Sequence, residues 1–372
     1  MITRRIILFV LLLGIFMVYP CIVTGYNPGV TGGDILKFLP GAKANGLADM
    51  YVSVADDVYS MHYNPAGIAF ANKSFGSMYV KGLVDTQYGF LGYLNPMGKA
   101  GTLGASLLYF YGGEIDIQGS SNFNNAVTGK MVAMSDFLLT LSYGYKLPDK
   151  NLSFGLNTKI FYSNLVETYS ALALGFDFGA RYALASEKIA FGLAVQNLGS
   201  GIKYLEVSDP MQGFLRAGVS YRTRSEGDLD LLAGVDLEYP FANKLRYNFG
   251  SEILYRKMYA LRIGYKLGHD VYGLTVGAGF RDYRYSVDYT FMPAGTINTS
   301  AHRVSVSMNL FTPKEKATVL IKSGMDSYKK KRYRTAVSDF EKVLKLYPDN
   351  KKVKSMIKKA EAKLRSSKKK KK

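Results

Sequence analysis

The stretch ALGFDFGARYAL, residues 173–184, alternates large apolar side chains with small or polar ones. The apolar set consists of Leu174, Phe176, Phe178, Ala180 and Tyr182. The second set consists of Gly175, Asp177, Gly179 and Arg181. A period of two is typical of a β-strand, because successive side chains of an extended chain point to opposite faces. The stretch is therefore predicted to be a strand with one apolar and one polar face.

The same alternation recurs from about Ser74 to Phe311, in segments such as SFGLNTKIFYSN, DLLAGVDLEYPF and YALRIGYKLG. We count about 14 such segments, separated by turn clusters. Many are long enough to cross a bilayer at a tilt, which takes roughly 9–11 residues. Residues 74–311 are therefore predicted to form one sheet-based unit.

The alternation does not say whether the apolar face meets a core or a lipid bilayer, so a soluble β-sandwich stays an alternative. Tyrosines recur near segment ends, for example Tyr143, Tyr182 and Tyr255, as the aromatic girdles of membrane barrels require. No helix of ordinary length interrupts the segments. The predicted fold class is an all-β membrane barrel of about 14 antiparallel strands, with a small α-helical extension at the C-terminus.

An export signal is predicted over residues 1–25. Arg4 and Arg5 precede the apolar run IILFVLLLGIFMV, which is too short for a membrane helix and suits a signal peptide cleaved after Gly25. Cys21 is the one cysteine, and lipidation there is disfavoured because a tyrosine and a proline precede it. Cleavage after Gly25 removes that cysteine, so neither a disulfide nor a thiol nucleophile is expected. The expected location is the bacterial outer membrane.

The net charge of +19 is concentrated at the C-terminus. Residues 313–372 contain 22 lysines and arginines against 6 aspartates and glutamates, so the rest of the chain is nearly neutral. Behind an export signal this charge does not predict nucleic-acid binding. It predicts either a merely solvated surface or contact with anionic envelope components and acidic proteins.

Residues 312–350 have apolar side chains at helical spacing. They resemble a tetratricopeptide repeat at Gly324, Tyr333, Ala336, Phe340 and Pro348. We therefore predict a helical hairpin there, and residues 351–372 as a capping helix, KKVKSMIKKAEAKL, followed by a disordered basic tail, SSKKKKK. About three repeats are normally needed for stability, so this single unit is expected to dock on the barrel, on itself or on another protein.

The stretch GAKANGLADMYVSVADDVYSMHYNPAGIAF, residues 41–70, resembles the N-terminal block of the PorV/PorQ family of outer-membrane barrels, which have the fold of the fatty-acid transporter FadL. The matching residues are Gly41, Ala42, Lys43, Ala44, Gly46, Ala55, Asp56, Asp57, Asn64, Pro65, Ala66 and Gly67. The departures are Lys43 in place of an arginine, Ala48 and Asp49 in a glycine-rich step, and Tyr63 in place of a tryptophan. The last segment, HRVSVSMNLF, also resembles the family's final strand.

The resemblance implies that the segment before the first strand, residues 26–73, folds into the barrel as a hatch. The candidate hatch motif consists of Asp56, Asp57, Asn64, Pro65, Ala66 and Gly67. The aspartates suit the start of a short helix, which Asn64 and Pro65 would end in an Asx turn. Gly67 would permit close backbone approach. The alternative is that the Asn-Pro-Ala-Gly sequence only shapes a turn and touches no ligand.

No catalytic, metal or cofactor site is predicted. His62, His269 and His302 lie far apart in the sequence and lack metal-ligand spacing. There is no phosphate-binding loop and no nucleophile elbow. Asp56 and Asp57 diverge by about 100° on a helix, which favours a cap and a solvated charge over acid–base chemistry. The chain is therefore not expected to be an enzyme.

Three functions stay open. The first is a PorV-like barrel that engages exported proteins in type IX-like secretion, with the tetratricopeptide-like unit as a periplasmic adaptor. The second is a FadL-like conduit for a hydrophobic small molecule, and the third is a structural protein anchored by its basic tail. The expected partners are outer-membrane lipid, a periplasmic or secreted protein and, for the conduit, a hydrophobic ligand. Nucleic acid is not expected, and both termini should lie in the periplasm.

Overall fold

The computed structural model describes residues 29–82, 85–118, 127–148, 150–184, 188–223, 228–271, 273–293 and 300–369. The predicted signal peptide, including Cys21, lies outside them. Fourteen antiparallel strands form a closed barrel: β1 Ser74–Lys81, β2 Gln87–Pro96, β3 Thr102–Tyr111, β6 Met134–Lys146, β7 Leu152–Leu165, β8 Tyr169–Leu184, β9 Ile189–Gly199, β12 Phe214–Arg222, β13 Leu229–Pro240, β14 Arg246–Tyr255, β15 Tyr259–Leu267, β16 Leu274–Arg281, β17 Tyr285–Met292 and β18 Ala301–Asn309. Two small hairpins form separate two-stranded sheets and are not part of the barrel sheet: β4 Glu114–Gln118 with β5 Val127–Val132, and β10 Ile202–Lys203 with β11 Ser208–Asp209.

The barrel closes where β1 pairs with β18, from Ser74 opposite Asn309 to Tyr79 opposite Val304. Closure gives every barrel strand a hydrogen-bonded neighbour on both sides, which is the condition for β-structure in lipid. The prediction of an all-β membrane barrel with 14 antiparallel strands is confirmed.

The outer face of the barrel wall is apolar, whereas the inner face carries the buried polar and charged side chains together with an apolar patch on β1, β2, β3, β6 and β7. On β8, Phe178 is 46% exposed on the outer surface, whereas its neighbour Asp177 is fully buried in the lumen. Tyr182, Tyr143 and Tyr255 also face outward near strand ends. This is the reverse of a soluble β-protein and resolves the ambiguity that the alternation left.

The two ends of the barrel differ. At one end, here called the terminal end, β1 begins and β18 finishes, and short turns at 97–101, 256–258 and 282–284 connect strands. The opposite end, here called the loop end, carries the two hairpins β4–β5 and β10–β11. The first of these hairpins lies between β3 and β6.

The hatch, residues 29–73, lies inside the barrel as a series of short turns. It contains 3₁₀-helices at Asp34–Lys37, Val58–His62 and Pro65–Phe70, and α1 at Ala42–Gly46; a further 3₁₀-helix, Gly98–Ala100, lies in a terminal-end turn. Where the sequence predicted one short helix that Asn64 and Pro65 would end, the structure has two 3₁₀-helices, Val58–His62 and Pro65–Phe70. The second begins at Pro65 because Asn64 caps it and proline is tolerated in a first helical turn.

Three helices follow the barrel: α2 Pro313–Lys329, α3 Tyr333–Leu346 and α4 Lys351–Lys369. We call them the helical unit. The predicted capping helix corresponds to α4, whose helical backbone continues to Lys369. None of the helices in the described part of the chain has both the length and the apolar character that a membrane-spanning helix needs.

The helical unit has its own small core and rests on turns of the terminal end. Gly324 of α2 lies against Phe340 of α3, since a Cβ at Gly324 would fall 2.5 Å from the phenylalanine ring. Tyr283, in the turn 282–284, packs against the same core. Lys257 lies 3.3 Å from Asp326, and a further ion pair joins Arg332 to Asp228. The helical unit therefore contacts the barrel, one of the three docking partners considered, and the tetratricopeptide identity stays a prediction.

We expect Gly155→Ala to destabilise the barrel by about 1–3 kcal/mol, because a Cβ there would lie 2.2 Å from the backbone nitrogen of Ala66 in the hatch. The matched control is Gly89→Ala on β2, where a Cβ meets nothing within 4 Å. The measurement is the temperature at which the folded, fast-migrating band disappears on semi-native gels. Equal midpoints for both variants would contradict this close approach.

Candidate functional site

Asn64 joins the hatch to itself and to the barrel wall. Its Oδ1 accepts a hydrogen bond of 3.1 Å from the backbone N–H of Ala66, which closes the expected Asx turn. Its Nδ2 donates to the carbonyl of Val52 at 2.8 Å and to that of Ala180 on β8 at 3.0 Å. The side chain thus makes three bonds and is fully buried.

The rest of the Asn-Pro-Ala-Gly sequence also faces the wall. The Ser153 hydroxyl on β7 donates to the carbonyl of Ala66 at 3.0 Å. A Cβ at Gly67 would lie 2.6 Å from the carbonyl oxygen of Ala55, so Gly67 permits a close contact within the hatch. Pro65, Ala66 and Gly67 are all buried. The sequence therefore shapes a turn and also fastens that turn to β7 and β8.

Asp56 and Asp57 share one lysine. The ammonium of Lys43 lies 2.7 Å from Oδ1 of Asp56 and 3.4 Å from Oδ2 of Asp57. Asp57 also caps the turn Val58–His62 and accepts a 2.6 Å hydrogen bond from the Tyr51 hydroxyl. Burial alone would raise the pKa of Asp56, but Lys43 and Arg222 outweigh it and hold that pKa below its usual value. The expected cap at Asp57 is present, whereas Asp56 is ion-paired rather than merely solvated.

Three wall side chains that sequence reasoning missed anchor the hatch backbone and side chains. Oδ2 of Asp236 on β13 accepts from the backbone N–H groups of Tyr51 at 2.7 Å and Val52 at 2.8 Å. Lys266 on β15 forms a buried ion pair with Asp49. Arg181 on β8 donates through Nε to the carbonyl of Ser53 at 2.8 Å. Their one sequence signal is a charged residue at an inward position of an alternating strand.

The three histidines lie in different places. Nε2 of His62 lies 3.0 Å from the Ser106 hydroxyl in the hatch–wall interface. Burial, together with Lys159, lowers the pKa of His62 to about 3, so its imidazole is neutral at ordinary pH. His269 contacts Asn248, and His302 contacts Tyr289. Among the described residues, no group of three potential ligands is arranged to hold a metal ion.

Charged side chains continue around the inner wall in pairs. Arg262 bridges Glu252 and Asp288, each at 2.7 Å. Lys159 lies 2.7 Å from Asp177, and Arg216 lies 3.0 Å from Glu238. Buried charges of this kind require partners, because an unpaired ion in a low-dielectric interior is strongly disfavoured. The part of the lumen bordered by these pairs is therefore polar, whereas inward side chains of β1, β2, β3, β6 and β7, such as Phe90 and Phe161, form an apolar cluster with the hatch.

Two cavities lie at the ends of the lumen in the described part of the chain. A cavity of about 400 Å³ at the terminal end is lined by charged and apolar residues: Arg222, Asp230, Leu231, Leu232, Glu252, Leu254, Lys257 and Arg281. A cavity of about 240 Å³ at the loop end includes Lys37, Arg246 and Asp270 in its lining. Both cavities expose charged groups to whatever enters them.

Comparison with known proteins gives one family and several structures. The family described as "Type IX secretion system protein PorV" matches residues 29–221, which span the hatch and β1 to β12. No curated protein matches the sequence.

The solved structures to which the chain is similar include a Pseudomonas aeruginosa FadL homologue, with 14% identity, a TM-score of 0.44 and coverage of 73% of this chain and 98% of the homologue. The P. putida toluene transporter TodX is similar at 13% identity and a TM-score of 0.48, with coverage of 73% and 99%. The CymD monoaromatic hydrocarbon channel is similar at 14% identity and a TM-score of 0.47, with coverage of 73% and 98%.

The Asp49–Lys266 pair should behave as a coupled anchor. We expect Asp49→Asn or Lys266→Gln alone to lower the free energy of unfolding by about 3 kcal/mol, because each leaves a buried charge unpaired, and the double variant to lose less than the sum. Tyrosine fluorescence in urea provides the measurement, since the chain has no tryptophan. As a control, Asp85→Asn breaks the exposed pair with Lys81 and should change little. Additive losses at positions 49 and 266 would contradict the coupling.

The same anchor predicts a pH dependence. Burial alone would raise the pKa of Asp49, but Lys266 outweighs it and lowers the pKa to about 2, below the value of about 3.9 in an unfolded chain. The stabilisation is therefore complete above about pH 4 and is lost as the pH falls toward 2. The difference in unfolding free energy between the wild type and Asp49→Asn should shrink over that interval. A difference that stays constant from pH 6 to pH 2 would refute this assignment.

Proposed function

The chain belongs to the family of the type IX secretion system protein PorV, and from this premise we propose that it is a closed outer-membrane barrel that engages exported proteins in type IX-like secretion or as an envelope scaffold. The observation that supports this proposal most directly is that the hatch is held to several strands of the barrel wall. Its contacts reach β8 through Asn64, β13 through Asp236 and β15 through Lys266. A plug held at several strands suits a scaffold whose surfaces bind partners. The proposal assigns no catalytic step.

The helical unit supports a role in protein binding. A barrel with an even number of strands returns the start of β1 and the end of β18 to one side of the membrane, and we assign that side, which carries the helical unit, to the periplasm. The unit is held at this end by its contacts with Tyr283, Lys257 and Asp228. Helical repeats bind partners on concave surfaces, so the tetratricopeptide-like unit is proposed as a periplasmic adaptor.

A conduit for a hydrophobic small molecule is the second candidate and receives less support. Such a molecule needs an apolar path, as ligand sites for apolar compounds are lined mainly by apolar side chains. In the described residues, the cavities at both ends of the lumen present charges, including Arg222, Arg281, Lys37 and Arg246. The lumen between them is occupied by the hatch.

The test compares a strain that lacks the gene, a strain whose protein lacks residues 313–372, and the wild type. We expect exported proteins to accumulate several-fold in the periplasm and to fall at the cell surface and in the medium when the gene is absent. Removal of the helical unit should reproduce that shift if the unit is the adaptor. Quantitative proteomics of the three fractions provides the measurement.

A gel-mobility assay shows whether the shortened barrel still folds and reaches the outer membrane. Uptake of labelled toluene and oleate is measured in the same strains. An unchanged distribution of exported proteins, together with reduced uptake of either compound in the gene-deficient strain, would overturn the secretion role in favour of the conduit.

A further inference from the structure

A cavity of about 520 Å³ lies where the helical unit meets the terminal end of the barrel. The barrel contributes Lys73, which precedes β1, Arg284 from the turn 282–284, and Leu310 and Phe311, which follow β18. The helical unit contributes Lys316 from the first turns of α2. The volume is within the usual range of about 300–1,000 Å³ for ligand sites. The cavity is distinct from those at the two ends of the lumen.

Three cationic residues line this cavity, and no acidic residue does. Lys73, Arg284 and Lys316 are all lining residues, and none of them forms an ion pair among the described parts of the chain. The neighbouring carboxylate of Glu315 accepts from the N–H and the hydroxyl of Thr312 at 2.8 and 2.7 Å and lies close enough to Lys73 to offset one of the three positive charges, so the cavity keeps a net positive charge. Like charges held close together repel each other, so this arrangement favours an anion between them.

The cavity also borders the lipid-facing surface of the barrel. Tyr93 lines it and points outward from β2, where its side chain is 37% exposed. Phe75, the residue opposite Tyr93 on β1, is likewise exposed on the outer face. The apolar outer surface meets a cationic cavity at the rim of the barrel. Together they are complementary to an amphiphile that has an apolar tail and an anionic head group.

We propose that this cavity binds the phosphate ester of a glycerophospholipid, with its acyl chains over Tyr93 and Phe75. Lysine and arginine are the usual phosphate-binding side chains, and charge-assisted hydrogen bonds are the strong ones. Because Lys73 and Arg284 belong to the barrel and Lys316 to α2, the bound phosphate joins the helical unit to the barrel. The inference needs only a membrane barrel and does not depend on the secretion role.

The test measures lipid binding to the full-length protein. The purified protein is delipidated in detergent and titrated by native mass spectrometry with dioleoylphosphatidylglycerol, with dioleoylglycerol, which lacks the phosphate, and with inorganic phosphate. We expect one phosphatidylglycerol to bind in preference to dioleoylglycerol. The variant Lys73→Gln/Arg284→Gln/Lys316→Gln should weaken that binding about tenfold or more, since three charge-assisted contacts are lost.

The matched control is Lys99→Gln/Lys150→Gln/Lys188→Gln, which removes the same charge from exposed terminal-end positions outside the cavity. It should bind phosphatidylglycerol as the wild type does. Both variants are first shown to fold by gel mobility. Equal binding by the two triple variants, equal binding of both lipids, or binding of inorganic phosphate without the lipid would each overturn the proposal.

Discussion

The lumen of this barrel has to be filled, and much of the structure follows from that requirement. Fourteen strands in a closed ring satisfy the backbone in lipid but enclose a space wider than inward side chains can occupy. The hatch occupies that space with short turns rather than long helices. Its large buried side chains, such as Tyr51 and Tyr63, fill the centre, while its backbone comes close to the wall at Gly155. The wall and the hatch therefore form one packed unit.

The charged inner wall determines how the hatch is seated. Asp236 accepts two backbone N–H groups of the hatch, and Lys266 pairs with Asp49, so the hatch is fixed by polar contacts of defined geometry. Pairs within the wall, such as Lys159 with Asp177, compensate the desolvation of charges that face the lumen. Buried pairs of this kind are weak evidence of net stability. Their contribution here is to specify one position of the hatch, because a shifted hatch would leave charges without partners.

The helical unit depends on the barrel in a different way. A single helical hairpin with one following helix buries little apolar surface, and the contacts with Tyr283, Lys257 and Asp228 add to it at the terminal end. Where the unit meets the barrel, the two leave a cationic hollow beside the lipid-facing surface. The same junction thus positions the proposed adaptor and forms the cavity that we propose as a lipid site.

The alternation of side chains, as in residues 173–184, was enough to predict the strands and their number, and the tyrosines near segment ends added the membrane-barrel class. Resemblance to known barrels added the hatch and its motif, including Asn64. The alternation alone left open the direction of each face, because a period of two is the same whether Phe178 meets lipid or a core. The sequence also did not show which side chains of the barrel wall hold the hatch. Tyr51 and Asp236 are 185 residues apart, and only the closure of the barrel decides which inward side chain meets which part of the hatch, since local periodicity carries no information about long-range pairing.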